Sequence, residues 1–318
     1  MGEFPLNLSK EKFMSYSNSI IFGPIPSRRF GISLGVDLSP SKKQCNFDCL
    51  YCELEGAKTV DKMDEYPSVE DIIKEIKKNF EIHPKIDVLT LTCNGEPTLY
   101  PKLNELIDEI NKIKGTTKTL ILSNGSNIYK KDIFDTLLKI DIVKLSLDCV
   151  SEKCFKKLDR INSSVETEKI VPAMIDFSKQ TKNNLVLEIL FVKDLNDNEL
   201  ETTLLYEALI QINPKRVDIG TIDRPPAYAV KPVSYEFLES VANKFENINV
   251  NIVYKNKSKS IQSFSKDEII TMLKRRPLTN EDIENMFDNE SKYILESLIK
   301  DKIVTIINSS GVDFYKCF

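Results

Sequence analysis

Cys45-Asn-Phe-Asp-Cys49-Leu-Tyr-Cys52 decides the reading of this chain. It is a C-x3-C-x2-C cluster with an aromatic residue directly before its last cysteine. Three thiolates on one short loop suit three corners of a [4Fe–4S] cube. The usual arrangement uses four cysteines, so a three-cysteine grip leaves one iron open to bind and activate another molecule. Structural zinc, with His83 or another cysteine as fourth ligand, is the alternative, but zinc sites prefer four closed ligands. Cys49-Leu-Tyr-Cys52 alone would also read as a redox C-x-x-C, but Cys45 and the missing thioredoxin context argue against it.

Outward from this loop the chain alternates strand-like and helix-like stretches. Strands are expected at 32–38, 86–92, 118–122, 142–147, 185–192 and 216–221. Helices are expected at 68–80, opened by a Ser68/Asp71 capping box, and at 101–114, 130–140, 166–180 and 198–212. About six strand–helix units predict an α/β fold, a partial (β/α)6 TIM-like barrel. Chemistry in such a barrel gathers on the loops after the strands. The polar stretch Lys255–Ser260 reads as a linker. After it, three short helices and a hairpin around Ser309-Ser310-Gly311 predict a small winged-helix-like domain. The expected organisation is an N-terminal extension over 1–20, a barrel over 21–255, and a linker with the small domain over 256–318. Ten Lys/Arg balance ten Asp/Glu over 257–318, so a packing or protein-partner role is expected there rather than DNA reading.

The 318 residues carry a net charge of −4, 41% hydrophobic residues and no apolar run of membrane-spanning length. There is no global basic field for nucleic acid. No secretory signal precedes the fold, and the seven cysteines form no even framework. A reducing cytoplasm is therefore expected. The single histidine excludes a Cys2His2 site and any mechanism needing two histidines.

The cysteine loop after a first strand resembles the radical SAM superfamily. The second strand is followed by Cys93-Asn-Gly-Glu-Pro97, matching the family's Gly-Glu-Pro motif. The third is followed by Ser123-Asn-Gly-Ser126 and the fourth by Ser146-Leu-Asp148; Glu188 lies on the fifth strand and Gly220 ends the sixth. Gly23-Pro-Ile-Pro-Ser-Arg-Arg-Phe-Gly31 and Asp223-Arg-Pro-Pro226 add a closer likeness to a poorly characterised branch related to the tRNA wybutosine-pathway enzyme. No cysteine precedes Cys45, so that enzyme's additional N-terminal cluster is absent and its reaction is not carried over.

The resemblance implies an oxidoreductase-type enzyme in which a [4Fe–4S] cluster on Cys45, Cys49 and Cys52 reductively cleaves S-adenosyl-L-methionine (SAM). The resulting 5′-deoxyadenosyl radical abstracts hydrogen from a substrate, with tRNA modification preferred over a small molecule, and an external one-electron reductant is needed. It implies cofactor contacts from Tyr51 against the adenine, Gly95, Glu96 and Pro97 at the amine, and Ser123, Asn124, Ser146, Asp148, Glu188 and Gly220 around the ribose and carboxylate. Cys149 and Cys154, a C-x4-C pair, are candidates for thiol hydrogen donation or, with Cys317, a second cluster. The other reading is a small buried hydrophobe, which is favoured for Cys93. Arg28, Arg29, Asp223 and Arg224 are candidates for recognising an anionic substrate, or for a salt bridge that only closes the barrel. Two other classes remain open: a redox-sensing nucleic-acid-binding regulator and a non-catalytic Fe–S electron carrier.

Overall fold

A computed structural model describes residues 19–27, 30–181, 184–253, 261–275, 277–309 and 312–317. Arg28, Arg29 and the expected linker from Lys255 to Ser260 lie outside the described residues.

An eight-stranded sheet in strictly sequential order carries the molecule. Its strands are β1 (Ile21–Ser27), β2 (Gly31–Asp37), β3 (Val88–Thr92), β4 (Lys118–Ser123), β5 (Ile142–Ser146), β6 (Asn184–Phe191), β7 (Arg216–Thr221) and β8 (Val250–Ile252). From β2 onward every pairing is parallel; β1 runs antiparallel along the β2 edge. Helices α1 (Val69–Ile82), α2 (Leu103–Ile113), α3 (Lys131–Leu137), α4 (Ile170–Gln180), α5 (Glu199–Ile212) and α6 (Tyr235–Lys244) form the crossovers. The Ser68 hydroxyl caps α1 by accepting from Asp71 N–H, as its spacing predicts.

Six strands were expected for this sheet, and among the described residues it has eight. β1 contains Pro24 and Pro26, which suit an edge strand because an edge need not donate on its outer side. β8 is only three residues long, too short for an alternation signal.

Alternate strand residues divide the sheet's two faces. Leu34, Val36, Leu89, Leu91, Ile121, Val143, Leu145, Leu187, Ile189, Val217 and Ile219 join the main core against the helices. Val88, Leu120, Ile142 and Val186 form a separate cluster on the other face, with Phe30 packed onto it. The sheet is strongly curled. At about 4.8 Å per strand, a flat sheet would hold β2 and β7 roughly 24 Å apart. Instead the Arg216 guanidinium, at the start of β7, lies 5.6 Å from the Phe30 ring just before β2. At the opposite end, Ala227 N–H after β7 donates to Cys52 O after β2 at 2.7 Å.

The C-terminal segment has its own core. Helices α7 (Lys266–Arg275), α8 (Asn280–Met286) and α9 (Asn289–Lys300) pack with a three-stranded sheet in the order β10 (Val304–Ser309), β11 (Val312–Cys317), β9 (Leu278–Thr279). Ile269, Leu273, Phe287, Leu298 and Cys317 are buried there, and Ile25 of β1 packs against them. Among the described residues no helix is long and apolar enough to cross a membrane.

Candidate active site at the carboxyl ends of the strands

Parallel strands deliver all their following loops to one end of the sheet. The cysteine loop follows β2 and the Gly-Glu-Pro loop follows β3, and the two are joined through the backbone. Gln44 N–H donates to Asn94 O at 2.7 Å, and Glu96 N–H donates back to Gln44 O at 3.0 Å. Between these bonds Gly95 lies at φ +138°, and a Cβ there would sit 1.8 Å from Gln44 O. Only glycine has both the conformation and the clearance. The Gln44 side chain is buried and tied to its surroundings: Nε2 donates to Ser39 Oγ and Glu65 O, and Oε1 accepts from Asp64 N–H.

The other flank of the cysteine loop is held by the segment after β5. A short helical turn, Glu152–Cys154, runs into a π-helical turn, Phe155–Asp159. Asp48 N–H and Leu50 N–H each donate at 2.9 Å, to Asp159 O and Leu158 O, and Asn162 N–H donates to Asn46 O at 2.8 Å. Phe155 meets the Phe47 ring edge-on. Asp48 accepts from the Tyr228 hydroxyl at 2.7 Å and pairs with Arg160 at 3.2 Å and Lys43 at 3.7 Å. With Asn46 also bonded to Ser126 and Asn124 after β4, the residues between the cysteines fasten the loops after β4, β5 and β7.

Cys45, Cys49 and Cys52 are free, half-buried thiols. Three donors reach their sulfurs. Phe47 N–H and Asn124 Nδ2 approach Cys45 Sγ at 3.4 and 3.8 Å, and Lys43 Nζ approaches Cys52 Sγ at 3.5 Å. Burial, and then the Glu96 carboxylate, push the Cys45 thiol up to about 12; burial followed by Asp159 raises Cys49 well above the usual range. Ligation by a soft metal replaces those thiol protons. Beside Cys49, buried Asp159 has one carboxyl oxygen, Oδ1, without a hydrogen-bond partner. Soft sulfur donors with N–H groups aimed at them fit an iron–sulfur cluster.

The remaining expected cofactor residues gather around the same end. Glu96 is fully buried. Its Oε1 accepts from Thr98 N–H, Thr98 Oγ1 and Ser123 Oγ, and its Oε2 from Asn124 N–H at 2.7 Å. Burial raises its pKa against these bonds. Pro97 opens the buried turn Pro97–Leu99. Asn124 also bonds Asn46 at 2.9 Å. The Tyr51 hydroxyl donates to Asp148 Oδ2, and Asp148 Oδ1 accepts from Leu190 N–H at 2.6 Å. Burial lifts the Asp148 carboxyl to about 7. Ser146 and Glu188 are register partners on the inner face, and Gly220 follows two residues beyond Asp218 on that same face, with Thr221 ending the strand.

Several expectations change. Cys149 and Cys154 are joined as a disulfide and are buried. They are therefore neither two isolated small hydrophobes nor thiols open to a substrate. Cys317 lies in the separate C-terminal core, so it does not complete a second cluster with them. Arg224 forms an ion pair, with Glu53 at 2.6 Å. Cys93 is a free, partly buried thiol packed against the core, raised by burial and then by Glu96.

Sequence reasoning missed Lys144 and Asp218, charged residues inside β5 and β7, and Arg216, which opens β7. Their available signal was parity: each occupies the strand face that carries Ser146 or Gly220.

These loops are the parts of a cofactor-dependent radical enzyme. A family model described as the Radical SAM superfamily matches residues 40–206, and the chain belongs to that superfamily. Its members are enzymes that work with a [4Fe–4S] cluster and SAM and draw on an external reductant. Within it the chain belongs with the UPF0026 proteins: it is 41% identical to the UPF0026 protein of Helicobacter pylori over 94% of this chain and 98% of that protein. Among solved structures, a radical SAM methyltransferase from Sphaerobacter thermophilus aligns with TM-score 0.55 at 13% identity, covering 70% of this chain and 67% of that one. SuiB of Streptococcus suis bound to S-adenosylmethionine aligns with TM-score 0.53 at 17% identity, covering 68% and 49%. At these identities the likeness is one of fold: an α/β, parallel-sheet partial barrel.

Proposed function

We propose that this chain binds a [4Fe–4S] cluster through Cys45, Cys49 and Cys52 and uses it to cleave SAM, generating a radical that acts on an anionic substrate, with tRNA modification the preferred reading. The observation that carries this is the backbone lock between Gln44 and Gly95, which sets the cysteine loop against the Gly-Glu-Pro loop. When bound, the cluster supplies the low-potential electron that breaks the sulfonium's bond to the adenosyl carbon, leaving a 5′-deoxyadenosyl group that takes hydrogen from the substrate.

The protein's residues place and shield these partners. Lys43, Asn124 and the Phe47 amide stabilise anionic sulfur. Gly95, Glu96 and Pro97 shape the site for the SAM amine, with the Glu96 carboxylate bracing the loops after β3 and β4. Tyr51, fixed by Asp148, walls the adenine. Ser123, Asn124, Ser146, Glu188 and the side-chain-free surface of Gly220 serve its ribose and carboxylate.

An anionic substrate is supported by a cleft of about 410 Å³ beside the cysteine loop, lined by Asp48, Gly56, Lys58, Thr59, Arg160 and Tyr228. There the Arg160 guanidinium lies 4.6 Å over the Tyr228 ring. A cationic plane on an aromatic ring, with a lysine nearby, suits a base and its phosphate. Asp223 belongs to this rim in the reading, and Arg224 holds it closed through Glu53. Residues 256–318 serve as a winged-helix-like module for packing or protein contact, residues 21–255 as the catalytic barrel, and residues 1–20 as an extension. A cytoplasmic location goes with this reading, because an oxygen-labile cluster calls for a reducing compartment.

The test is anaerobic reconstitution with iron and sulfide, followed by reductant and SAM. About four irons per chain and release of 5′-deoxyadenosine are expected. Alanine at Cys45, Cys49 or Cys52 should abolish both, and cleavage retained in all three variants would sink the proposal. A second arm mixes the protein with bulk tRNA; binding weakened by Arg160→Ala supports the substrate class, and binding indifferent to that change refutes it.

A further inference from the structure

Lys43, two residues ahead of Cys45, turns its ammonium into the cysteine loop. Its Nζ meets three acceptors: Glu55 O at 2.9 Å, Cys52 Sγ at 3.5 Å and Asp48 Oδ1 at 3.7 Å. An ammonium has three hydrogens to donate, so the three contacts fix the group in place. The side chain is only 12% exposed, and a charge so far from water is weakly screened.

Asp48 does not cancel this charge. Its Oδ2 accepts from the Tyr228 hydroxyl at 2.7 Å and pairs with the Arg160 guanidinium at 3.2 Å, and its Oδ1 also accepts from Ala57 N–H at 3.2 Å. One carboxylate thus answers two cations, which leaves a net positive charge beside the Cys52 sulfur. The other two cysteines stand differently. Burial and then an acidic neighbour raise their thiols, Glu96 at Cys45 and Asp159 at Cys49. The donors to Cys45 Sγ, Phe47 N–H and Asn124 Nδ2, are neutral. Of the three donors at these sulfurs, Lys43 is the charged one.

A cluster gains negative charge when it is reduced, and its potential follows the charge around it and the hydrogen bonds to its sulfurs. A fixed cation against one ligand sulfur favours the reduced form. We propose that Lys43 tunes the reduction potential of the cluster from the Cys52 side, raising it and so easing delivery of the electron. The step moves one electron from the external reductant to the cluster, [4Fe–4S]2+ becoming [4Fe–4S]1+; no bond forms or breaks and no proton moves. This rests on the cluster assignment to Cys45, Cys49 and Cys52 under the proposed function, and goes beyond it by naming the side chain that sets the electron's entry.

The test is a spectroelectrochemical titration, followed by the paramagnetic signal of the reduced cluster, on anaerobically reconstituted wild type, Lys43→Met, Lys43→Gln and Lys43→Arg, without SAM. Lys43→Met removes the charge, and Lys43→Gln keeps an N–H donor without it. Both midpoints should shift to more negative values, while Lys43→Arg should stay closer to the wild type than either. Iron per chain and melting temperature are read alongside. A role limited to bracing the loop would lower those two and leave the midpoint of the loaded fraction in place; that result overturns the inference and leaves the cluster assignment standing. A wild-type midpoint in Lys43→Gln alone assigns the effect to the hydrogen bond rather than the charge, and also overturns it. If Lys43→Met takes up no iron, Lys43→Gln decides; if neither does, Lys43 serves assembly of the site and the inference falls. A wild type that takes up no [4Fe–4S] cluster overturns both this inference and the reading beneath it.

Discussion

Gln44 and Gly95 pair as neighbouring strands do, yet neither belongs to a strand: an isolated parallel bridge joins the loop after β2 to the loop after β3. The alpha-carbon hydrogen of Gly95 points at Gln44 O, where a methyl group would overlap it at 1.8 Å. Backbone must move to relieve this, because neither partner is the flexible end of a side chain. Gly95→Ala is therefore expected to separate the two loops. Iron content after reconstitution should fall to a small fraction of the wild type, while far-ultraviolet circular dichroism stays native, since the strands and helices do not depend on the bridge. Full iron loading in Gly95→Ala would contradict this account.

Asn46 and Asn124 make a second, side-chain link between the cysteine loop and the loop after β4. Asn46 donates to Ser126 Oγ at 2.7 Å and accepts from Asn124, which also approaches Cys45 Sγ. Asn46→Ala removes two hydrogen bonds in a buried and part-buried setting and is expected to cost about 1–3 kcal/mol. Urea unfolding measures that loss. Asn46→Asp keeps the acceptor for Asn124 but not the donor to Ser126, so an intermediate loss is expected.

Much of this site was legible because its residues are local in sequence. The C-x3-C-x2-C spacing, Gly-Glu-Pro and Ser-Asn-Gly-Ser each fall within a few positions, and strand–loop alternation places them at one end. What escaped is what depends on curl. Lys144 meets Asp218 over an intervening strand, and Arg224 finds Glu53 from 171 residues away. Neither pairing leaves a trace in spacing. β1 escaped for a different reason: its prolines read as turn residues until the strand is known to lie at an edge.

The Cys149–Cys154 disulfide closes a loop so short that chain entropy credits it with only about 2 kcal/mol. Its position matters more, because it begins the turn whose Leu158 and Asp159 carbonyls accept from the N–H groups of the cysteine loop. Denaturing alkylation of the cluster-free protein should modify five of its seven cysteines without reductant and all seven with it. Reductant should also lower the melting temperature by a few degrees. Seven modified cysteines without reductant would show that the bridge does not form.

Asp148 makes stability depend on pH in a direction opposite to most carboxylates. Burial raises it to about 7 in the folded chain, against roughly 3.9 unfolded. The folded state thus keeps a proton that the unfolded state has already released. This favours the fold fully below about pH 4, and the advantage is lost as pH rises toward 7, beyond which the contribution levels off. Asp159, also raised by burial and then by Asp148, acts with the same sign. Urea unfolding of the cluster-free protein should therefore give a lower midpoint at about pH 8 than at about pH 5, and Asp148→Asn should shrink that difference. An unchanged difference in Asp148→Asn would assign the effect to other groups, with Asp159 the first to test by the same substitution.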